Sequence, residues 1–261
     1  MDTNKNPITE TPLIDHLIEL RRRLLYATLG FLAAFCIAYY FAPEIFMLLT
    51  KPLVTSFESL EGRRLIYTGL TEAFMTYIKV ALFAATFISL PIIIIQTWLF
   101  IAPGLFSHEK KAFIPFLFAV PILFSIGALF AYFVVIPAAW KFFIQFEVPA
   151  TVGHLPIQLE ARMHEYLALI MQLLLVFGIS FQLPIILLLL AKLGVVQKQF
   201  LEKKRKYAFL FIMIASAFLT PPDVLSMLLL SLPLYLLYES SLQLLRFSQK
   251  SLPKQEYTQR V

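Results

Sequence analysis

Few side chains in this sequence offer chemistry, and the most suggestive are carboxylates set among bases. Glu19 lies in His16–Leu17–Ile18–Glu19–Leu20–Arg21–Arg22–Arg23, and Glu109 in Ser107–His108–Glu109–Lys110–Lys111. A carboxylate presents two coplanar oxygens, which accept a guanidinium as a two-pronged pair. Two such groups on one face would suit a ligand with paired arginines. The plainer reading of Glu19 is a local pair with Arg23, four residues on, of about 0.3–0.5 kcal/mol.

Other polar residues fall within or beside apolar runs. Gln182, in Phe181–Gln182–Leu183–Pro184, either ties down backbone freed by Pro184 or bridges to another helix, or it meets a partner. Lys79 is close enough to a run's end to snorkel. Glu239 is either an interfacial residue or a partner contact. Asp223, after Pro221–Pro222, suits a helix start, where a carboxylate meets unpaired amides and the positive end of the dipole.

Catalytic signatures are missing. No phosphate-binding loop and no Gly-x-Ser-x-Gly nucleophile turn occur. The four histidines lie outside the apolar runs, and none has metal-ligand spacing to another His or Cys. The single cysteine, Cys36, excludes an internal disulfide and a thiolate metal cage. Neither an enzyme nor a cofactor or metal is expected.

The elements that must position these residues follow from composition. Of 261 residues 59% are hydrophobic and 15% charged, with a mean hydropathy of +0.78. That excess of apolar surface implies an all-α polytopic membrane protein. Six runs suit membrane helices: 24–42, 73–101, 113–140, 166–190, 207–219 and 224–245. They are continuously apolar rather than alternating, which excludes membrane strands. The triple arginine before the first run resembles a signal peptide, but the run is longer than a signal core and no small-residue cleavage site follows. It is read as a retained helix.

Charge sets the orientation. Sixteen of the 22 Lys and Arg residues fall on the side holding both termini and five on the other, with Lys79 inside a span. The positive-inside rule then puts both termini in the cytoplasm. The net charge of +6 reports orientation and not nucleic-acid binding.

The sequence is expected to form one membrane domain over 1–261. Residues 12–23 form a cytoplasmic amphipathic segment, with Leu13, Leu17, Leu20 and Leu24 at helical spacing behind Thr11 and Pro12. Residues 24–245 form a six-helix bundle and 246–261 a cytoplasmic tail. Residues 43–72, with Pro43, Pro52 and Gly69, read as one outer loop, and 141–165 as another. The fifth and sixth spans look short, the fifth by its 13 residues and the sixth through Pro233 and Glu239. The plainer alternative is that these helices extend into their polar flanks.

Several stretches together resemble the TatC family, the signal-binding subunits of the twin-arginine protein translocase. They are His16–Leu24, Trp98–Lys111, Phe130–Pro137, Phe177–Pro184 and Leu219–Val224, in the family's order. The resemblance implies a cupped six-helix bundle in a bacterial inner membrane, with short fifth and sixth helices and both termini cytoplasmic. It implies a receptor for Arg-Arg signal peptides of folded precursors, with transport driven by the proton-motive force. It implies single-span TatA-type and TatB-type partners near the last two helices, and a homo-oligomer within a larger complex. By position, Glu19, Glu109, Arg21 and Phe100 match signal-binding residues, and Pro52 a proline of the first outer loop. Asp223 matches the acid after the double proline. Gln182 stands where many members have Glu, and Met227 where many have Gln. The competing reading is a secondary transporter or channel for a small solute. It requires mid-membrane ionisable groups and paired halves, and only Lys79 and Gln182 with no internal repeat speak for it.

Overall fold

The computed structural model of the protein describes residues 13–57, 62–104, 107–148, 155, 157–192, 198–220 and 224–250. Among these residues ten α-helices run in chain order: α1 (Leu13–Tyr40), α2 (Ala42–Ser56), α3 (Glu72–Ile101), α4 (Ser107–Phe130), α5 (Ile136–Ile144), α6 (Met163–Ser180), α7 (Leu183–Lys192), α8 (Lys198–Lys203), α9 (Arg205–Leu219) and α10 (Val224–Lys250). A 3-10 turn at Ala102–Gly104 follows α3, and a π turn at Ala131–Val135 joins α4 to α5.

Among the described residues five stretches are long and apolar enough to cross a bilayer: Ile14–Tyr40, Glu72–Ile101, Ile114–Ile144, Met163–Ala191 and Met227–Leu245. Much of their outer surface is apolar and exposed, including Phe118, Phe133 and Leu232. Lipid, unlike water, solvates such a surface without cost, so the chain is an all-helical membrane protein.

The first seam joins α1 and α3. Ala34 and Ala38 pack against Ala81 and Ala85, and these small side chains let the helices approach closely. Gly30 extends the seam, since a Cβ there would stand 2.9 Å from Cγ2 of Ile92. A second crossing, between α4 and α6, is tighter. A Cβ on Gly127 would lie 2.5 Å from the Phe177 carbonyl oxygen, and one on Gly178 would lie 2.7 Å from the Phe124 ring. The main core lies around α6, where Leu167, Ile170, Leu173 and Phe177 are fully buried with Val135 and Ile136 of the π turn and α5.

Three expectations change. Residues 43–72 are not one loop, because α2 occupies Ala42–Ser56. Pro43 sits in the first turn, where its missing N–H costs nothing. Pro52 lies inside the helix, and its missing N–H frees the carbonyl four residues back, that of Leu48. The Tyr132 hydroxyl donates to this carbonyl at 2.7 Å. The π turn that holds Tyr132 is closed by the Ile136 amide donating to the Ala131 carbonyl, immediately before Pro137.

The sixth span is not short. α10 has 27 residues and continues through Pro233, so the plainer alternative of helix extension holds there. Glu239 does not end it, because Arg205 at 3.3 Å and the Tyr235 hydroxyl at 3.2 Å pair the carboxylate within the helix wall. Of the fifth and sixth spans it is α9, with 15 residues, that stays short. At the other end of the chain, residues 13–23 are not set apart from the first span. One unbroken helix runs from Leu13 to Tyr40, with Leu17, Leu20 and Leu24 exposed. Thr11 and Pro12 lie outside the described residues.

Candidate functional site

The N-terminal turns of α1 reach the last turn of α3. The His16 ring stacks on Phe100, with centroids 4.4 Å apart and planes at 21°. This contact joins the two sequence stretches that supply Glu19 and Glu109. After Phe100, α3 ends at Ile101 and α4 begins at Ser107. Glu109 therefore lies in the first turn of α4, and its side chain is outside the described set.

Glu19 is one turn beyond His16. Its Oε1 accepts from Nη2 of Arg23 at 3.2 Å, and the two side chains are 25% and 19% exposed. Arg23 reaches the carboxylate with one prong only. Arg21 and Arg22 are exposed on the same turns. This end of the molecule therefore offers a carboxylate and an aromatic stack in a strongly basic setting. Such a surface can bind a guanidinium selectively, because a planar fork matches the carboxylate and an ammonium does not.

Of the structural roles weighed for Gln182, the bridge to another helix is observed, while the local carbonyl it serves is Gly178 and not the Ser180 carbonyl that Pro184 frees. The chain turns between α6 and α7, and the Gln182 amide donates to the Ile179 carbonyl at 3.0 Å, one residue short of the helical partner. The side-chain Nε2 takes up the skipped Gly178 carbonyl at 3.3 Å. It also donates to the Val120 carbonyl of α4 at 3.1 Å. Its Oε1 is buried without a hydrogen-bond partner among the described residues. Pro52 is buried in α2 and acts through the Leu48 carbonyl. Asp223 lies outside the described residues. Met227 is half-buried on α10, and Lys79 is exposed.

Pairings far apart in sequence close the opposite end. Arg63 forms a two-pronged pair with Glu147, Nη1 to Oε1 and Nη2 to Oε2 at 2.6 Å. The Leu159 amide also donates to Glu147 Oε1, at 2.9 Å. The Arg63 guanidinium lies 4.4 Å from the centre of the Phe57 ring. Its hydrogen bonds hold the Glu147 carboxyl below the ordinary carboxylate range; burial opposes this, and the Leu159 amide adds to it. The carboxylate in turn raises Arg63 above its usual value. Beside this pair, Ile66 exchanges backbone bonds with Ala161 and Met163, and Arg162 reaches Thr68, Glu72 and Glu165. The sequence reading missed this clasp. Arg63 and Glu147 are 84 positions apart, and no local pattern marks such a pair.

Among the described residues, no group of three or more His, Cys, Asp or Glu side chains is placed to hold a metal ion.

A model of the family described as Sec-independent protein translocase protein (TatC) matches residues 15–233. A Sec-independent protein translocase protein TatC of Rickettsia prowazekii is 46% identical over 236 residues, spanning 89% of this chain and 92% of the relative. The TatC protein of Escherichia coli K12 is 37% identical, spanning 90% of this chain and 88% of the relative. A crystal structure of a twin arginine translocase receptor, TatC, superposes with a TM-score of 0.73 at 38% identity, over 90% of this chain and 99% of that one.

Proposed function

This chain belongs to the TatC family of Sec-independent translocase proteins, and from that premise we propose how its residues serve the receptor of the twin-arginine translocase. As a non-enzymatic transport component it binds and hands on cargo rather than transforming it. The face around Glu19, with Arg21 and Phe100 and the first turn of α4 carrying Glu109, receives the paired arginines of a signal peptide. The observation that carries this reading is the stack of His16 on Phe100, which fastens the Glu19 turn to the end of α3.

The distribution of basic residues supports cytoplasmic placement of both termini, in a bacterial inner membrane. Five long apolar helices and the short α9 then give six crossings in one membrane domain. A 15-residue helix spans only about 22 Å at 1.5 Å per residue, less than the ~30 Å hydrocarbon core. Such a mismatch is relieved by local thinning or by association, which supports docking of single-span TatA-type and TatB-type subunits beside α9 and α10. Gln182, Asp223 and Pro52 serve as intramembrane or partner-side positions, Gln182 through its unmatched oxygen. Further copies of this chain join the same complex, and the proton-motive force drives transport.

Binding tests the proposal. The full chain, purified with its partners in mild detergent, is titrated with a labelled twin-arginine signal peptide and its twin-lysine counterpart. Glu19→Gln and Glu109→Gln should each weaken arginine-dependent binding, and the double change more so. Equal binding of both peptides, or unchanged binding by the double variant, refutes it.

A further inference from the structure

Glu19, the carboxylate assigned above to the ligand, is already occupied. Arg23 Nη2 holds Oε1 at 3.2 Å with a single prong. Arg23 is only 19% exposed, while Arg21 and Arg22 point outward. Its Nε is buried with no hydrogen-bond partner among the described residues. The guanidinium is therefore poorly satisfied where it sits.

Across the seam lies the matching deficit. Gln96 Oε1 is buried and also has no hydrogen-bond partner among the described residues. The seam's register brings the two to one level. Ala34 and Ala38 pack with Ala81 and Ala85, Gly30 faces Ile92, and His16 stacks on Phe100. Arg23 lies midway between His16 and Gly30 on α1. Gln96 lies midway between Ile92 and Phe100 on α3, at helical spacing of four from each. An unmet donor and an unmet acceptor thus face the same stretch of the α1·α3 seam. Buried polar groups are ordinarily paired, and leaving them unpaired is costly. Two such groups at one level indicate a second arrangement in which they meet.

We propose that Arg23 is a built-in stand-in for the ligand's guanidinium, occupying Glu19 until a signal arginine displaces it onto Gln96. This rests on the reading of Glu19 as a signal-binding carboxylate. In the free protein Arg23 blocks one carboxylate oxygen, so only a group able to take both oxygens gains by replacing it. A guanidinium fork does so and an ammonium does not, which sharpens the choice of arginine over lysine. Once displaced, Arg23 donates Nε–H or an Nη–H to Gln96 Oε1. The resident contact is a helical i, i+4 pair, so the barrier it sets is modest, about two- to fivefold in affinity.

The test is equilibrium binding of fluorescent twin-arginine and twin-lysine signal peptides to the full chain in lipid nanodiscs. Arg23→Gln should bind the twin-arginine peptide about two- to fivefold more tightly, with the gain for twin-lysine larger, so that discrimination narrows. Arg23→Lys, which keeps the charge and loses the fork, should fall between. Gln96→Leu should weaken twin-arginine binding in the native background and have no effect when combined with Arg23→Gln. A purely structural role for Gln96 would not show that dependence. The proposal is overturned by an Arg23→Gln affinity equal to or below the native one, or by a Gln96→Leu loss that persists in the double variant. Where Arg23→Gln does not elute as a folded species, Arg23→Lys decides by the same criterion. Unchanged binding in Glu19→Gln defeats the underlying assignment. A loss there without a gain in the Arg23 variants defeats the stand-in alone.

Discussion

A single amide, that of Gln182, bridges the turn between α6 and α7 and fastens it to α4. Its Nε2 serves the Gly178 carbonyl, left free by the turn between α6 and α7, and the Val120 carbonyl of α4. Gln182→Leu keeps the volume and removes both donations. The Val120 carbonyl keeps its helical donor within α4, but the Gly178 carbonyl is left unpaired at a cost of about 1–3 kcal/mol, so the variant should unfold a few degrees lower in a detergent melt. An unchanged melting temperature would show that another donor satisfies the Gly178 carbonyl. The aromatic contact is the second residue-scale lever. Phe100→Ala removes a stack of about 0.5–1.5 kcal/mol and releases the Glu19 turn from α3. Signal-peptide affinity should fall although no charged group has changed, while the melting temperature moves little. The types of these residues were legible in the sequence, since a carboxylate among bases and an amide in an apolar run both stand out. Their partners were not, because the Val120 carbonyl is 62 positions from Gln182 and carries no residue signature.

Helices α2 and α10 show where sequence reading of elements fails. Proline reads as a breaker because it removes a donor and crowds the preceding turn. In α2 the lost donor is met by context at both prolines: Pro43 stands in the first turn, and the carbonyl freed by Pro52 receives the Tyr132 hydroxyl. That hydroxyl arrives on a π turn, which no periodicity announces. In α10 the polar Glu239 looked like an end, yet Arg205 of α9 pairs with it and the helix runs on. Five of the six apolar runs were legible almost to their ends, since hydropathy alone decides them. The Pro52–Tyr132 link makes a coupled prediction. Tyr132→Phe should cost about 1 kcal/mol in the native background and much less beside Pro52→Ala, where a backbone amide at position 52 again serves Leu48. Equal costs in both backgrounds would show that the hydroxyl does not compensate for the proline. The α4–α6 crossing makes a simpler one. Gly127→Ala places a methyl against the rigid Phe177 carbonyl and should cost about 1–3 kcal/mol in thermal unfolding.

For the whole molecule, charge marks two ends with different tasks. One end is basic, and its Glu19 is held by a single prong of Arg23. The other balances its charges internally and ties the stretch before α3 to the stretch before α6. Arg63 and Glu147 are the centre of that clasp. Because Glu147 is held below the ordinary carboxylate range of about 4.3, the unfolded chain takes up a proton there before the folded one does. The stabilisation from the pair is therefore complete above that ordinary value and is lost as pH falls through it towards the folded value. Arg63 stays charged throughout, so acid leaves a guanidinium against a neutral acid. Glu147→Gln removes the titrating group and keeps an acceptor for the Leu159 amide. At pH 7 the variant should melt below the native protein. The gap should close as the native protein is acidified from pH 5 towards pH 3, while other carboxylates lower both curves together. A gap independent of pH would assign the loss to packing rather than charge. If the clasp also braces the binding end through α3 and α6, the variant should bind twin-arginine peptide normally at pH 7 at low temperature. It should lose that binding at the lower temperature at which it unfolds, in one transition and not two.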